Sequence, residues 1–110
     1  MKQTGEIKVS GVKSASVTIS DGSGMSADFR VENKTVQCVE NGTVANPNGG
    51  QTATFSRYGD YSKNYNVTAA DVDPGEVVVA IDAFIASAST VAVATVGEIM
   101  QASDNTQNAE

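Results

Sequence analysis

Residues Val77 to Val96 read VVVAIDAFIASASTVAVATV, the longest apolar run in the chain, and how that run is divided decides the fold. Three valines open it, Asp82 interrupts it, and Ser87, Ser89, Thr90 and Thr95 place hydroxyls in its second half. β-branched side chains are stiff at χ1 and suit a pleated surface better than a helix. The run therefore reads as two strands, Val77 to Ile85 and Thr90 to Val96, joined through Ala86 to Ser89. Its length would also span a bilayer. A carboxylate inside the span is costly there, and Arg/Lys and Trp/Tyr anchors are missing from the flanks, so no membrane partner is expected.

Upstream of this run, period-two alternation recurs in short stretches bounded by turn residues. Ile7, Val9 and Val12 mark a first strand, with Gly11 as a bulge or kink. Val17 and Ile19 mark a second, and Asp21-Gly22-Ser23-Gly24 follows as a loop. Ala27, Phe29 and Val31 alternate with Asp28, Arg30 and Glu32, and Asn33-Lys34 fits a two-residue hairpin turn into Thr35 to Glu40. Asn41-Gly42 reads as another such turn, and Ala45 to Gly50 as a loop. Thr52 to Tyr58 and Asn64 to Ala69 make two further strands around a Gly59-Asp60 turn. Asp71 to Gly75 reads as a turn before the long apolar run, and Glu98 to Ala102 could add one helical turn. Eight strands at this spacing predict an all-β fold, a β-sandwich of Greek-key type, in one domain over residues 1–102 with a polar tail over 103–110.

The Pro74-Gly75 pair ahead of Glu76-Val77-Val78-Val79 resembles the turn before a late strand in immunoglobulin-like and fibronectin-type modules. The resemblance covers about a dozen residues. The chain departs from antibody-type domains in having no cysteine pair and no Trp, so the resemblance implies a sandwich and transfers no binding residue.

Composition narrows the function. Of 110 residues, 40% are apolar, and fourteen Ala and fifteen Val dominate them while Leu and Trp are absent. A core of such small side chains buries little apolar area per residue, which favours dependence on partners. Seven basic against thirteen acidic residues leave a net charge of −6, with the cations scattered, so nucleic acid is not an expected partner. The chain has no His, and no Gly-x-Ser-x-Gly elbow or Ser-Lys spacing supports a nucleophile, so it is not expected to be an enzyme. No cofactor or metal is expected. Asp71, Asp73 and Glu76 offer hard oxygen ligands, but their spacing does not match a calcium-binding EF-hand loop and they read as solvated turn carboxylates. Cys38, alternating with Gln37 and Val39, reads as a buried small hydrophobe. Three glycosylation sequons, at Asn33, Asn41 and Asn66, read as chance in an Asn/Thr-rich chain.

The opening MKQTGEIKVSG carries no apolar segment of the secretory kind. Ser103 to Glu110 (SDNTQNAE) has no apolar side chain but Ala109, and is expected to fray unless neighbours hold it. Tyr58, Tyr61 and Tyr65 cluster around one turn and are candidate protein-contact residues, with Ser103, Asp104 and Asn105 of the tail and the segment Met1 to Glu6. Together these features lead to an expectation of a non-enzymatic structural protein that docks, as a homo- or hetero-oligomer, in a larger assembly. The form expected first is a bacteriophage head auxiliary protein of the decoration or cement kind, made in the host cytoplasm, carried in the virion, and bound to capsid subunits. The alternative is an immunoglobulin-like module that recognises carbohydrate or protein through the loops Asp21 to Gly24, Asn46 to Gly50 and Asp71 to Gly75.

Overall fold

The computed structural model describes residues 1–11, 14–59 and 62–108, and the side chains of all of these except residues 6, 10, 11 and 98–108. Six strands come first: β1 (Lys2–Gly11), β2 (Ser14–Ser20), β3 (Met25–Glu32), β4 (Thr35–Ala45), β5 (Gln51–Tyr58) and β6 (Ser62–Val67). One helix, α1 (Pro74–Asn108), follows them. The strands form a single antiparallel sheet in sequence order, β1-β2-β3-β4-β5-β6. The β-rich class stands, but the sandwich expected from eight strands does not form among the described residues. Both strands assigned to Val77–Ile85 and Thr90–Val96 are parts of α1, which lies where a second sheet would.

The reason is visible in which residues of the run are buried. Ile81, Phe84, Ile85, Ala88, Ala92 and Val96 are buried, and Val77 and Val91 pack against them. Steps of three and four make one helical stripe, whereas a strand would bury alternate residues. The helix also has its own start signal. Asp73 Oδ1 accepts the amide of Gly75 at 2.9 Å, and the Asp73 carbonyl accepts the Val77 amide, four residues on, at 3.1 Å. Pro74 follows the cap, where its missing N–H costs nothing, and Glu76 lies in the first turn. The turn expected at Asp71 to Gly75, and the immunoglobulin-like turn with it, is a helix cap.

Strand alternation sends Ala15, Val17 and Ile19 of β2, Ala27, Phe29 and Val31 of β3, and Ala53 and Phe55 of β5 into one core with the helical stripe. All three phenylalanines meet there. Phe84 of α1 stands 6.0 Å from Phe29 and 6.1 Å from Phe55, ring centre to ring centre, in tilted and edge-on arrangements.

Two irregularities set which side chains of β4 face the core. Arg30 pairs with Cys38 but Val31 with Val36, so β4 carries one extra residue there and its alternation inverts. Val39, fully buried, is therefore the core residue, and Cys38 takes the opposite face beside Arg30. Further on, Val39 pairs with Arg57 and Gly42 with Phe55, which leaves a second extra residue. Asn41 adopts φ 53° there. Asn41-Gly42 is thus a bulge inside β4, not the turn its dipeptide suggests. At Asn33-Lys34 the expected two-residue turn is present, with φ values of 51° and 66°.

Candidate functional site

The sheet face turned away from α1 is lined with short polar side chains: Ser16 and Thr18 from β2, Ser26 and Asp28 from β3, Thr43 from β4, Thr54 and Ser56 from β5. Asp28 is its centre. Its carboxylate accepts the Thr18 hydroxyl at 2.5 Å and the Asn41 amide at 3.0 Å. The bulge at Asn41 is what brings that amide back over β3. A shallow cavity of ≈ 410 Å³ opens beside this network, lined by Lys8, Asp28, Arg30, Cys38 and Glu40 among others. Arg30 pairs with Glu32 at 2.8 Å.

Cys38 is 7% exposed and its Sγ donates to Glu40 Oε1 at 3.2 Å. Burial, then that hydrogen bond and the negative charge of Glu40, push the thiol up to about 11. A thiol held protonated in this way is a poor nucleophile at neutral pH. Among the described residues no group of three His, Cys, Asp or Glu side chains converges as a metal site would. Of the turn carboxylates weighed as calcium ligands, Asp73 caps α1, while Asp71 and Glu76 are exposed.

Tyr58 and Tyr65 lie on opposite faces of the sheet. Tyr58 ends β5, 52% exposed, in the row with Cys38 on the polar face. Tyr65 lies opposite Phe55 on the helix side, and its hydroxyl donates to Asp82 of α1. Burial and the Asp82 contact push the Tyr65 hydroxyl up to about 12. Tyr65 thus links β6 to the helix. Tyr61 lies outside the described residues. Ser103, Asp104 and Asn105 lie within α1, which runs to Asn108, and their side chains lie outside the described residues.

The two terminal segments expected to make contacts lie toward different ends of the sheet. Lys2 of β1 pairs with Ser20, next to the Asp21 to Gly24 loop. The loops named for the alternative reading share that end: the Ala45 amide donates to the Gly24 carbonyl at 2.8 Å, and the Thr68 amide, on the way to α1, donates to Thr52 at 2.9 Å. From there α1 crosses toward the Asn33-Lys34 turn at the other end, where Ala86, Ser89, Thr90 and Val93 share a groove with Lys34 and Arg57.

The outward side of α1 is the surface that sequence reasoning missed, because two strands were assigned to it. Ala80, Ala83, Ala86, Ser87, Thr90 and Ala94 are exposed, and Val79 is 69% exposed. Over Pro74–Gly97 the helix is long and apolar enough to cross a membrane, and an 18-residue stretch within it, of mean hydropathy 2.1, is 28% buried. The available signal was the helical spacing of Ile81, Ile85, Ala88, Ala92 and Val96. No family model matches the chain, and neither a curated protein nor a solved structure matches it.

Proposed function

We propose that the chain is a non-enzymatic structural protein that docks in a larger protein assembly, specifically as an auxiliary protein on a bacteriophage head. The observation that carries the docking reading is the outward face of α1. It holds Val79 and the alanines Ala80, Ala83, Ala86 and Ala94 in water, interrupted by Ser87 and Thr90, and apolar surface grouped along one helix marks a contact surface. Its partner is protein rather than lipid, because Asp82, Ser87 and Thr90 are exposed along the same helix and its opposite stripe already holds the sheet. The inert thiol and the absence of His from the chain support a role without chemistry. The identification with a phage head rests on the small size, acidic charge and lean core together.

The test uses particles purified from cells that carry the gene. The chain should band with them in fixed proportion to the main shell subunit, and Val79→Asp should lower its occupancy severalfold with an unchanged circular dichroism spectrum. Particles free of the chain would overturn the phage-head assignment. Flotation of the purified chain with phosphatidylcholine vesicles would overturn the choice of protein over lipid.

A further inference from the structure

At the end of the sheet where α1 passes over the Asn33-Lys34 turn, a groove of ≈ 470 Å³ is lined by Lys34, Arg57, Ser89 and Thr90, with Val36 and Val93 as apolar walls. Two polar atoms of residues that line it, Arg57 Nε and Ser89 Oγ, are buried without a hydrogen-bond partner among the described residues. Buried donors are nearly always paired in native proteins, and two unpaired in one groove point to a missing acceptor. The charges agree. Lys63 of β6 stands directly opposite Arg57 of β5, a like-charge cross-strand pair that is unfavourable without an anion between or beside it. No carboxylate among the described residues lines the groove. Among the described residues Arg57 has no ion pair, whereas Arg30 is matched by Glu32. Asp82, two helical turns before Ser89, is engaged by Tyr65.

We propose that this groove is a binding site for an oxyanion, a carboxylate or phosphate group that accepts from Arg57 Nε and the Ser89 hydroxyl while Lys34 supplies a second positive charge at the rim. An Arg fork and a hydroxyl suit such oxygens in geometry as well as charge. The site shares Ala86 and Thr90 with the outward side of α1, while its charged groups, Lys34 and Arg57, come from the sheet side. It lies between helix and sheet, and its residues come from the β3–β4 turn, β4, β5 and α1.

Nitrogen-15 NMR of the whole chain reads the Arg57 Nε–H resonance directly. Sodium acetate and, separately, inorganic phosphate are titrated in at constant ionic strength set with chloride. A saturable shift of Arg57 Nε–H and of the Ser89 and Thr90 amides, with Arg30 unmoved, is the expected result, and whichever salt saturates first names the preferred group. Arg57→Lys should weaken binding at least tenfold and Ser89→Ala about threefold, each checked for an unchanged amide spectrum elsewhere. Should Arg57 move no more than Arg30 in both titrations, the proposal fails. It fails equally if Arg57→Lys folds and binds as the parent does.

Discussion

Gly42 and Phe55 face each other across β4 and β5 with no room for a side chain on the glycine. A Cβ there would lie 2.5 Å from the Phe55 ring and 2.6 Å from its carbonyl oxygen. The obstacle includes backbone, so it cannot swing aside, and Gly42→Ala is expected to cost about 1–3 kcal/mol, seen as a lower urea midpoint at unchanged slope. Tyr65 gives a test of a different kind. The folded chain favours its undissociated hydroxyl, so the contribution of the Asp82 bond is complete below pH about 10 and is lost as the pH rises toward about 12. Tyr65→Phe should lose about 1 kcal/mol at neutral pH, and the gap from the parent in thermal melts should close over that alkaline range. Asp21 behaves in the opposite sense. Burial would raise its pKa, but the amides of Ser23 and Met25 and the Ser23 hydroxyl outweigh burial and hold it below the ordinary carboxylate value. Its contribution is therefore present at neutral pH and disappears in acid, as the pH falls through the carboxylate range. Asp21→Asn should be less stable than the parent at pH 7 and converge with it in acid.

The helix start is a separate unit of stability. Asp73→Ala removes the side-chain acceptor for the Gly75 amide and is expected to cost about 1 kcal/mol, measurable by chemical denaturation. Phe84→Ala empties the place where α1 meets both Phe29 and Phe55, and about 3–5 kcal/mol is the usual loss for such a change. In so lean a core that should leave the helix undocked, with near-ultraviolet dichroism lost. The strands β2 and β3 were legible in the sequence because each buries alternate residues on one side only, as Ala27, Phe29 and Val31 do, and β5 and β6 because Ala53 and Phe55, and the half-buried Tyr65 and Val67, alternate with polar neighbours. The hairpin at Asn33-Lys34 was legible because few dipeptides tolerate two positive φ values in succession. Asn41-Gly42 misled for the same reason: the backbone does turn left-handed at Asn41, but the register absorbs it as a bulge. The helix was misread because local preference for Val and Thr was weighed above periodicity, while tertiary burial on the sheet's apolar face decides the outcome. Asp73, Pro74 and Glu76 carried the start signal, an acidic cap with proline after it and Glu three residues on. The polar-face network around Asp28 could not be foreseen, since it needs both the strand order and the bulge. Nor could the groove at Arg57 and Ser89, whose residues lie 32 positions apart and meet only because the run is helical.

For the molecule as a whole, the sheet has one covered face, one polar face and two edges, β1 and β6. Neither edge is a long flat strand: β1 carries a register shift between Thr4 and Lys8, and β6 has only six residues with Lys63 among them. These devices discourage strand addition, so docking is expected through α1 rather than through β-augmentation. Removing Ser103 to Glu110 should weaken attachment to the assembly while leaving the melting temperature nearly unchanged, because the buried stripe seen among the described side chains, Ile81 to Val96, lies wholly before the deletion. Equal particle occupancy after the deletion would count against that. The order of elements along the chain has its own consequence during synthesis. Each strand pairs with the one just made, so the meander can assemble hairpin by hairpin as it leaves the ribosome. Its apolar side, with Ile19, Phe29 and Phe55, has no cover until the last third of the chain has been translated. A nascent sheet is therefore sticky for as long as α1 remains in the exit tunnel, and a chain stopped at Asp73 should be recovered with chaperones or in the insoluble fraction.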